Sequence, residues 1–319
     1  MPVLEDKKGE IDAIDKLSNV VKENILPLFF INVPSVTPRD KNKIENEDNV
    51  TADKIINEKL ETKLLKLSGL GIKRILIDMT RCKNLETVIH YIISMKQLDN
   101  LVIIDHNNFN KKSSDYIYIS KDYFNLLNSK KLSKYKNIIF DLQYIGKSNT
   151  QIVINEAMAA LKNASKHSNI FLVSGVVPIA VPHNAQPINS DDYRILRSEK
   201  IIFNAVKEQV DKKMKLNYGD YTTVPPEKFE NETIQYSSTP VQIKYTEANY
   251  YYFFRNGKRS GKYSYLPNCE KVKKLSNFNK DHCWGDTFIW NDKCPRKGNT
   301  TQWAAVSINH HITLCAREN

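Results

Sequence analysis

Asn137-Ile138-Ile139-Phe140-Asp141 is followed, after a polar turn, by Gln151-Ile152-Val153-Ile154-Asn155-Glu156-Ala157-Met158-Ala159-Ala160-Leu161. The first run is apolar and of strand length, and the second carries its apolar residues at helical spacing. A buried strand feeding a helix implies a parallel neighbour and a right-handed crossover. The same alternation extends upstream. Leu101–Asp105 reads as a strand, with a Lys/Ser-rich irregular connection after it. Arg74–Asp78 reads as a strand before a helix over Leu85–Met95. Leu26–Ile31 precedes a polar loop over 35–50 and a helical stripe of Ile55, Ile56, Leu60, Leu64 and Leu65. Pro2–Leu4 opens the series, before Ile11, Ile14, Leu17, Val20 and Val21 on another helix. Downstream, Ile170–Ser174 reads as a strand and Ser190–Val210 as a helix. Lys215–Tyr221 and Val241–Phe254 are further strands, and Trp303–Leu314 is a last one.

Eight such units favour an α/β fold of the (β/α)8 TIM-barrel kind with a C-terminal β-containing extension. An open parallel α/β sheet is the alternative. The expected division is 1–258 for the barrel and 259–319 for an extension packed on it or completing it.

The chain has 319 residues, 41% of them hydrophobic, enough for a sizeable core. No apolar run approaches the length of a membrane span. Met1–Asp6 lacks the basic start and apolar core of a signal peptide, so a cytoplasmic location without membrane contact is expected. The formal net charge of +11 suggests anionic partners. Yet only nine of the 47 basic residues are Arg, the side chain suited to bidentate phosphate contacts. Solvated surface explains much of the excess.

Five cysteines, Cys82, Cys269, Cys283, Cys294 and Cys315, are an odd number in a large chain, which argues against a disulfide framework. His282, His310 and His311 lie near the last four and invite a zinc reading. The absence of a Cys-x-x-Cys pair favours buried thiols instead. No phosphate-binding glycine loop, dinucleotide fingerprint, zinc-protease helix or nucleophile elbow is present.

In a barrel, sites form where the strands end. Asp78, Asp105, Asp141 and Asp220 stand at four such ends and are the expected catalytic carboxylates. Gathered at one mouth, they would suit magnesium or manganese, or general acid–base work. Lys7 and Arg255 are placed to hold a phosphate opposite them, with Tyr221 and His106 beside them. The competing reading is that each Asp caps the turn or helix that follows. On a last strand His310 and His311 would face opposite sides, so only one would point inward. His90 and His167 need no functional reading. The aromatic run Tyr245–Phe254, with Arg255 and Lys258 after it, suits base stacking, but a strand filling the core explains it more cheaply.

Several blocks together resemble the beta protein family of bacteria and their phages. They are Pro2-Val3-Leu4-Glu5-Asp6-Lys7-Lys8-Gly9-Glu10, then Leu26-Pro27-Leu28-Phe29, Gly219-Asp220-Tyr221 and Ile243-Lys244-Tyr245-Thr246 leading to Arg255-Asn256-Gly257. The most specific are Trp284-Gly285-Asp286, Gly298-Asn299-Thr300-Thr301-Gln302-Trp303 and Ile308-Asn309-His310-His311-Ile312-Thr313. The resemblance implies a barrel-like fold and an anti-phage or mobile-element setting, with no settled chemistry. It brings Asp286, Trp303, Asn309 and His310 forward as motif positions, of which Asp286, Asn309 and His310 join the substrate-binding candidates. The family opening carries Lys where this chain has Glu5.

Two functions compete. One is an enzyme, a metal-dependent phosphodiesterase or nuclease-like hydrolase, processing a nucleotide or nucleic acid at the barrel mouth. The other is a non-catalytic module that senses a phage or host protein component.

Overall fold

The computed structural model describes residues 1–47, 49–107, 112–164, 168–180, 185–227, 241–256, 265–291 and 299–318. His167, Gly257, Lys258, Cys294 and Gly298 lie outside them.

Strands β1 (Val3–Glu5), β2 (Leu28–Phe30), β3 (Ile75–Asp78) and β4 (Leu101–Ile103) form a parallel sheet in that order. Strands β5 (Asp105–His106), β6 (Tyr116–Ser120), β7 (Asn137–Tyr144) and β8 (Asn169–Gly175) belong to a second parallel sheet. Strands β9 (Gln186–Pro187) and β10 (Tyr193–Leu196) lie elsewhere, and β11 (Lys215–Asp220) completes the second sheet beside β8. Strands β12 (Val241–Thr246) and β13 (Tyr250–Asn256) join β10 and β9 in an antiparallel sheet of order β12-β13-β10-β9. The chain is thus mixed α/β with two parallel sheets. Neither ladder closes on itself, although Pro2 bridges Asp220 in parallel, and the run 101–106 serves β3 through β4 and β6 through β5.

Side chains alternate across these strands. Val3, Leu28, Phe30, Leu76, Ile104, Tyr116, Tyr118, Ile139, Val173 and Tyr221 form one buried cluster drawn from every parallel run. Their neighbours point the other way, against helices. Leu4, Phe29, Ile75 and Ile77 meet α1 (Lys8–Asp15), α2 (Asn19–Glu23) and the helices that follow. Of these, α3 (Pro38–Asn46) buries none of its residues, whereas α4 (Ala52–Ser68) and α5 (Glu86–Met95) supply Leu60, Leu64 and Ile89 to that core. Ile138, Phe140, Ile170 and Leu172 meet α6 (Ser129–Leu132), α7 (Thr150–Leu161) and α8 (Ser198–Gln209). Behind the antiparallel sheet stand α9 (Leu266–Lys273), α10 (Trp284–Trp290) and α11 (Thr300–Glu318).

Several sequence expectations change here. Tyr116–Ser120 is a strand, not an irregular connection, so 101–105 and 137–141 are not neighbours. Val241–Phe254 is no eighth parallel strand. It is a hairpin, turned at 247–249 with the Glu247 N–H donating to the Tyr250 carbonyl at 2.8 Å. The parallel series instead ends at β11. Residues 190–197 precede α8 rather than belonging to it, and 38–46 are helical, started by a Thr37/Asp40 capping box with Pro38 in the first turn. Trp303–Leu314 is the middle of α11, a helix and not a strand. Both His310 and His311 are therefore buried, on different sides of that helix.

Helix α11 sits close to its neighbours because two glycines allow it. A Cβ on Gly9 would stand 2.7 Å from the Thr301 carbonyl oxygen, and one on Gly285 would stand 2.5 Å from that of Val306. Both contacts are with backbone, which cannot swing aside.

Candidate active site at the end of the parallel strands

A cavity of about 530 Å³ opens between the end of β1, the loops after β8 and β11, one face of β12–β13, and the first turns of α1 and α11. Lys7, Lys8, Lys244 and Arg255 line it, with Glu5, Glu10, Tyr193, Phe253, Tyr265 and Trp303. Arg255 sits over the Tyr193 ring, 4.7 Å from its centroid, and donates to the Tyr193 hydroxyl at 3.3 Å and Gln242 at 3.4 Å. Tyr193 stacks in turn on Phe253 at 4.5 Å. Lys244 donates to the Thr223 carbonyl at 2.6 Å.

Glu5 is buried and paired with Lys7 and with Arg81, the latter at 2.7 Å. Its charge is thereby offset by two cations. Arg81 also donates to Asn32 Oδ1 at 2.7 Å and covers the Phe30 ring. Phe30 touches the rings of His106 and Tyr118, which links the cavity wall to the strand ends.

There the four aspartates separate. Asp78 accepts from the Thr80 N–H at 2.9 Å and pairs with His106 Nδ1. Asp141 accepts from the Gln143 N–H at 2.9 Å, from the Tyr118 hydroxyl, and from the Tyr221 hydroxyl at 2.5 Å. His106 stacks on Tyr118 at 4.6 Å, so these two carboxyls belong to one network. Burial pushes Asp141 upward, more strongly than its tyrosine partners pull it down. Burial acts on Asp78 too, but the His106 imidazole and the Thr80 bonds overcome it and hold that carboxyl low. Two neighbouring carboxyls with opposite shifts are the arrangement that lets one act as acid while the other stays ionised.

Asp105 and Asp220 stand apart from this network. Asp105 accepts from the backbone N–H groups of Ser113, at 3.0 Å, and Ser114, at 3.3 Å, and so caps that turn. Asp220 accepts from the Thr222 N–H at 2.9 Å and faces α11, with His311 Nε2 at 2.8 Å. Asp78, Asp141 and Asp220 thus share one local device, a carboxylate accepting from the N–H two residues on. Gln143 and Thr222, the donors in two of these turns, adopt positive φ of 59° and 55°. Non-glycine residues hold that conformation only where the surroundings enforce it.

Of the C-terminal blocks, Thr300, Thr301, Trp303 and Ile308 line the cavity, whereas Asp286, Asn309 and His310 do not. Asp286 accepts from Tyr245 at 3.0 Å and pairs with His310 Nδ1 at 2.8 Å, while His310 Nε2 faces the Thr246 carbonyl at 2.7 Å. Asn309 accepts from the Gly285 N–H at 3.0 Å and donates to the Ala13 carbonyl at 2.9 Å. These bonds join α11 to α10, β12 and α1.

The paired aspartates make stability sensitive to acid. Asp220 is held below the ordinary carboxylate range, because His311 outweighs the opposing effect of burial, and Asp78 is held low by His106. A carboxyl with a depressed folded-state pKa contributes stability above its unfolded value, and that contribution is lost as pH falls further. The urea midpoint is expected to drop steeply below about pH 4. Asp220→Asn is expected to flatten that acid limb. An unchanged slope in the variant would show that the pair does not carry the effect.

Among the described residues no helix is long and apolar enough to cross a membrane. No curated protein and no solved structure matches the chain. The beta protein family model matches residues 75–317, which takes in β3 to β13 and nearly all of α11. The chain therefore belongs to the beta protein family.

Proposed function

We propose that the cavity at the strand ends binds a phosphate-containing ligand, a nucleotide or a nucleic-acid strand. One observation carries this reading: Lys7, Lys8, Lys244 and Arg255 converge on one cavity, and neither Lys8 nor Arg255 forms an ion pair with a described residue. Arg255 offers the planar fork that suits phosphate oxygens. Tyr193, Phe253 and Tyr265 add an apolar wall against which a base or sugar can lie. The setting we attach to this ligand is defence against phage or mobile elements, as the resemblance implies.

We infer further that the parallel runs form a (β/α)8 barrel whose mouth is this cavity. Three features support that reading: the Pro2–Asp220 bridge beside β1, the run 101–106 shared between the two sheets, and the single buried cluster to which every run contributes. The cavity then lies where barrel enzymes keep their sites. A second reading, that the ligand is also hydrolysed, rests on the opposed Asp78 and Asp141 carboxyls, which are buried outside the cavity lining and linked to it through Arg81, Phe30 and His106.

Binding is tested by titrating the protein with ATP and with a short single-stranded oligonucleotide, following tryptophan fluorescence and the melting temperature. Arg255→Ala and Lys7→Ala are each expected to weaken binding about tenfold and to reduce its salt dependence by about one counterion. Arg194→Ala, which removes a cation stacked on Tyr250 outside the cavity, is the control. If neither probe raises the melting temperature, or if the control weakens binding as much as Arg255→Ala, the cavity is not the site. Hydrolysis of either probe by wild type but not by Asp141→Asn would support the second reading.

A further inference from the structure

A second cavity, of about 510 Å³, runs along β11 from Leu216 to Asp220 beside Met1 and Pro2 and shares no lining residue with the first. Three side chains on its wall stand together: Asp220 at the end of β11, and His311 and Cys315, one turn apart on α11. His311 Nε2 is 2.8 Å from Asp220 Oδ2 and 3.4 Å from Cys315 Sγ, and the sulfur is 3.8 Å from the same carboxylate oxygen.

Tetrahedral zinc, with Zn–S of about 2.3 Å and Zn–N or Zn–O of about 2.0 Å, needs edges of about 3.6 Å to sulfur and about 3.3 Å between nitrogen and oxygen. The two distances to sulfur already bracket that value. The nitrogen–oxygen pair has to open by about half an ångström.

Each of the three groups also has a supporting bond of the kind that orients metal ligands. Thr246 Oγ1 is 3.1 Å from His311 Nδ1, which leaves Nε2 aimed at the centre. Thr222 N–H donates to the other oxygen of Asp220 at 2.9 Å. Arg197 donates to Cys315 Sγ at 3.1 Å, a contact that holds the sulfur in place although burial and Asp220 push its thiol well up. The mixture of thiolate, imidazole and carboxylate suits a borderline-soft ion, not magnesium or manganese.

We propose that Asp220, His311 and Cys315 bind one zinc-class divalent ion, whose remaining position opens onto this cavity. Binding forms three bonds to the ion and releases the thiol proton of Cys315 to solvent, while His311 binds through Nε2 as the neutral imidazole with its ring proton on Nδ1. The cavity leaves room for a water or a small ligand at the open position, the arrangement of a catalytic and not a purely structural site.

The other ligand set among the described residues, His282, Asp286 and His310, is the internal comparison. There both nitrogens of His310 already face acceptors, and His282 Nδ1 receives Arg317 at 2.7 Å.

The test uses the full chain, stripped with a chelator and titrated with Co2+ alone. One ion per chain is expected, with the ultraviolet charge-transfer band of a cobalt–thiolate bond and the visible bands of a tetrahedral site. Cys315→Ser should abolish the ultraviolet band, and His311→Gln should weaken binding at least about tenfold. Cys283→Ser should leave both unchanged. In the unmutated protein, bound Zn2+ should shield Cys315, but not Cys283, from alkylation as read by peptide mass. No ultraviolet band in the wild type, a band that survives Cys315→Ser, or equal alkylation of Cys315 with and without zinc would each overturn the proposal.

Discussion

Asn309→Ala is expected to destabilise the protein by about 4 kcal/mol, since a buried group left without its partner costs about 1–3 kcal/mol and this change orphans two. Asn309 is fully buried and uses both ends of its amide. The oxygen takes the Gly285 N–H at the start of α10, and the nitrogen serves the Ala13 carbonyl in α1. Neither backbone group can turn to water, because Gly285 and Ala13 are buried as well. Asn309→Asp is expected to be as costly. It keeps the acceptor, loses the donor, and buries a charge. Urea unfolding of wild type and both variants measures this. A loss below about 1 kcal/mol for Asn309→Ala, the scale of an ordinary surface change, would mean that the helices are held by packing alone.

That role explains why the C-terminal blocks could be recognised in sequence without their purpose being readable. Trp284-Gly285-Asp286 and Asn309-His310 belong together because Gly285 lets α10 touch α11, Asn309 caps the contact, and Asp286 holds His310 against the Thr246 carbonyl. The pattern is one of assembly, and substrate binding is not needed to account for it. The secondary structure of this segment was misleading for a related reason. Helix α11 is buried on nearly every side from Trp303 to Thr313, so no polar stripe marks its helical period. Its Val306, Ile308, Ile312 and Thr313 are β-branched, which mimics a strand.

The parallel runs were legible because each is short, apolar and followed by a helix. Tyr116–Ser120 escaped because Lys and Ser crowd the connection before it, although all five of its residues are buried. The hairpin at 241–256 escaped because Glu247-Ala248-Asn249 contains neither Gly nor Pro to mark the turn. Its aromatic density has a plain cause: the sheet is covered on both faces. Tyr251 and Phe253 enter the core shared with α7 and α8, and Tyr252 and Phe254 pack toward α9 and Trp303. Of the site, Lys7 could be named from sequence, because strand ends bring residues to one face; Arg255 reads in the sequence as the end of a parallel strand but reaches the cavity from β13 of the antiparallel hairpin. Lys244 could not, since its strand lies outside the parallel series. The aspartates at the same strand ends split between inward and outward positions, because side-chain direction alternates and a single residue of register decides it. Asp141 points in, whereas Asp220 points out toward α11.

Arg197→Met is expected to cost about 3–5 kcal/mol near neutral pH, the range for breaking a buried ion pair from one side. Arg197 is 1% exposed. Its guanidinium donates to Glu199 Oε1 at 3.3 Å, to Glu318 at 3.1 Å, to the carbonyls of Glu247 and Ala248 at 3.2 and 3.3 Å, and to Cys315 Sγ. Met keeps much of the stem volume, so the loss is one of charge and hydrogen bonds. Glu199 is the group most exposed to that loss. Its Oε1 has Tyr251 at 3.0 Å, but its Oε2 is buried without a hydrogen-bond partner among the described residues. Burial pushes its carboxyl up to about 7 even while Arg197 pulls it down. A carboxyl raised in the folded state lends stability at low pH and loses it as pH rises from its ordinary value through the folded one. Without Arg197 the folded value rises further, so the decline becomes larger and extends to higher pH. The variant should therefore be close to wild type in urea at about pH 5 and far weaker at about pH 8. Adding Glu199→Gln to Arg197→Met removes the stranded charge and should recover most of the loss at the higher pH. If the double variant is no more stable there than the single one, the buried carboxylate is not what Arg197 offsets, and its bonds to the carbonyls and to Cys315 carry the stability instead.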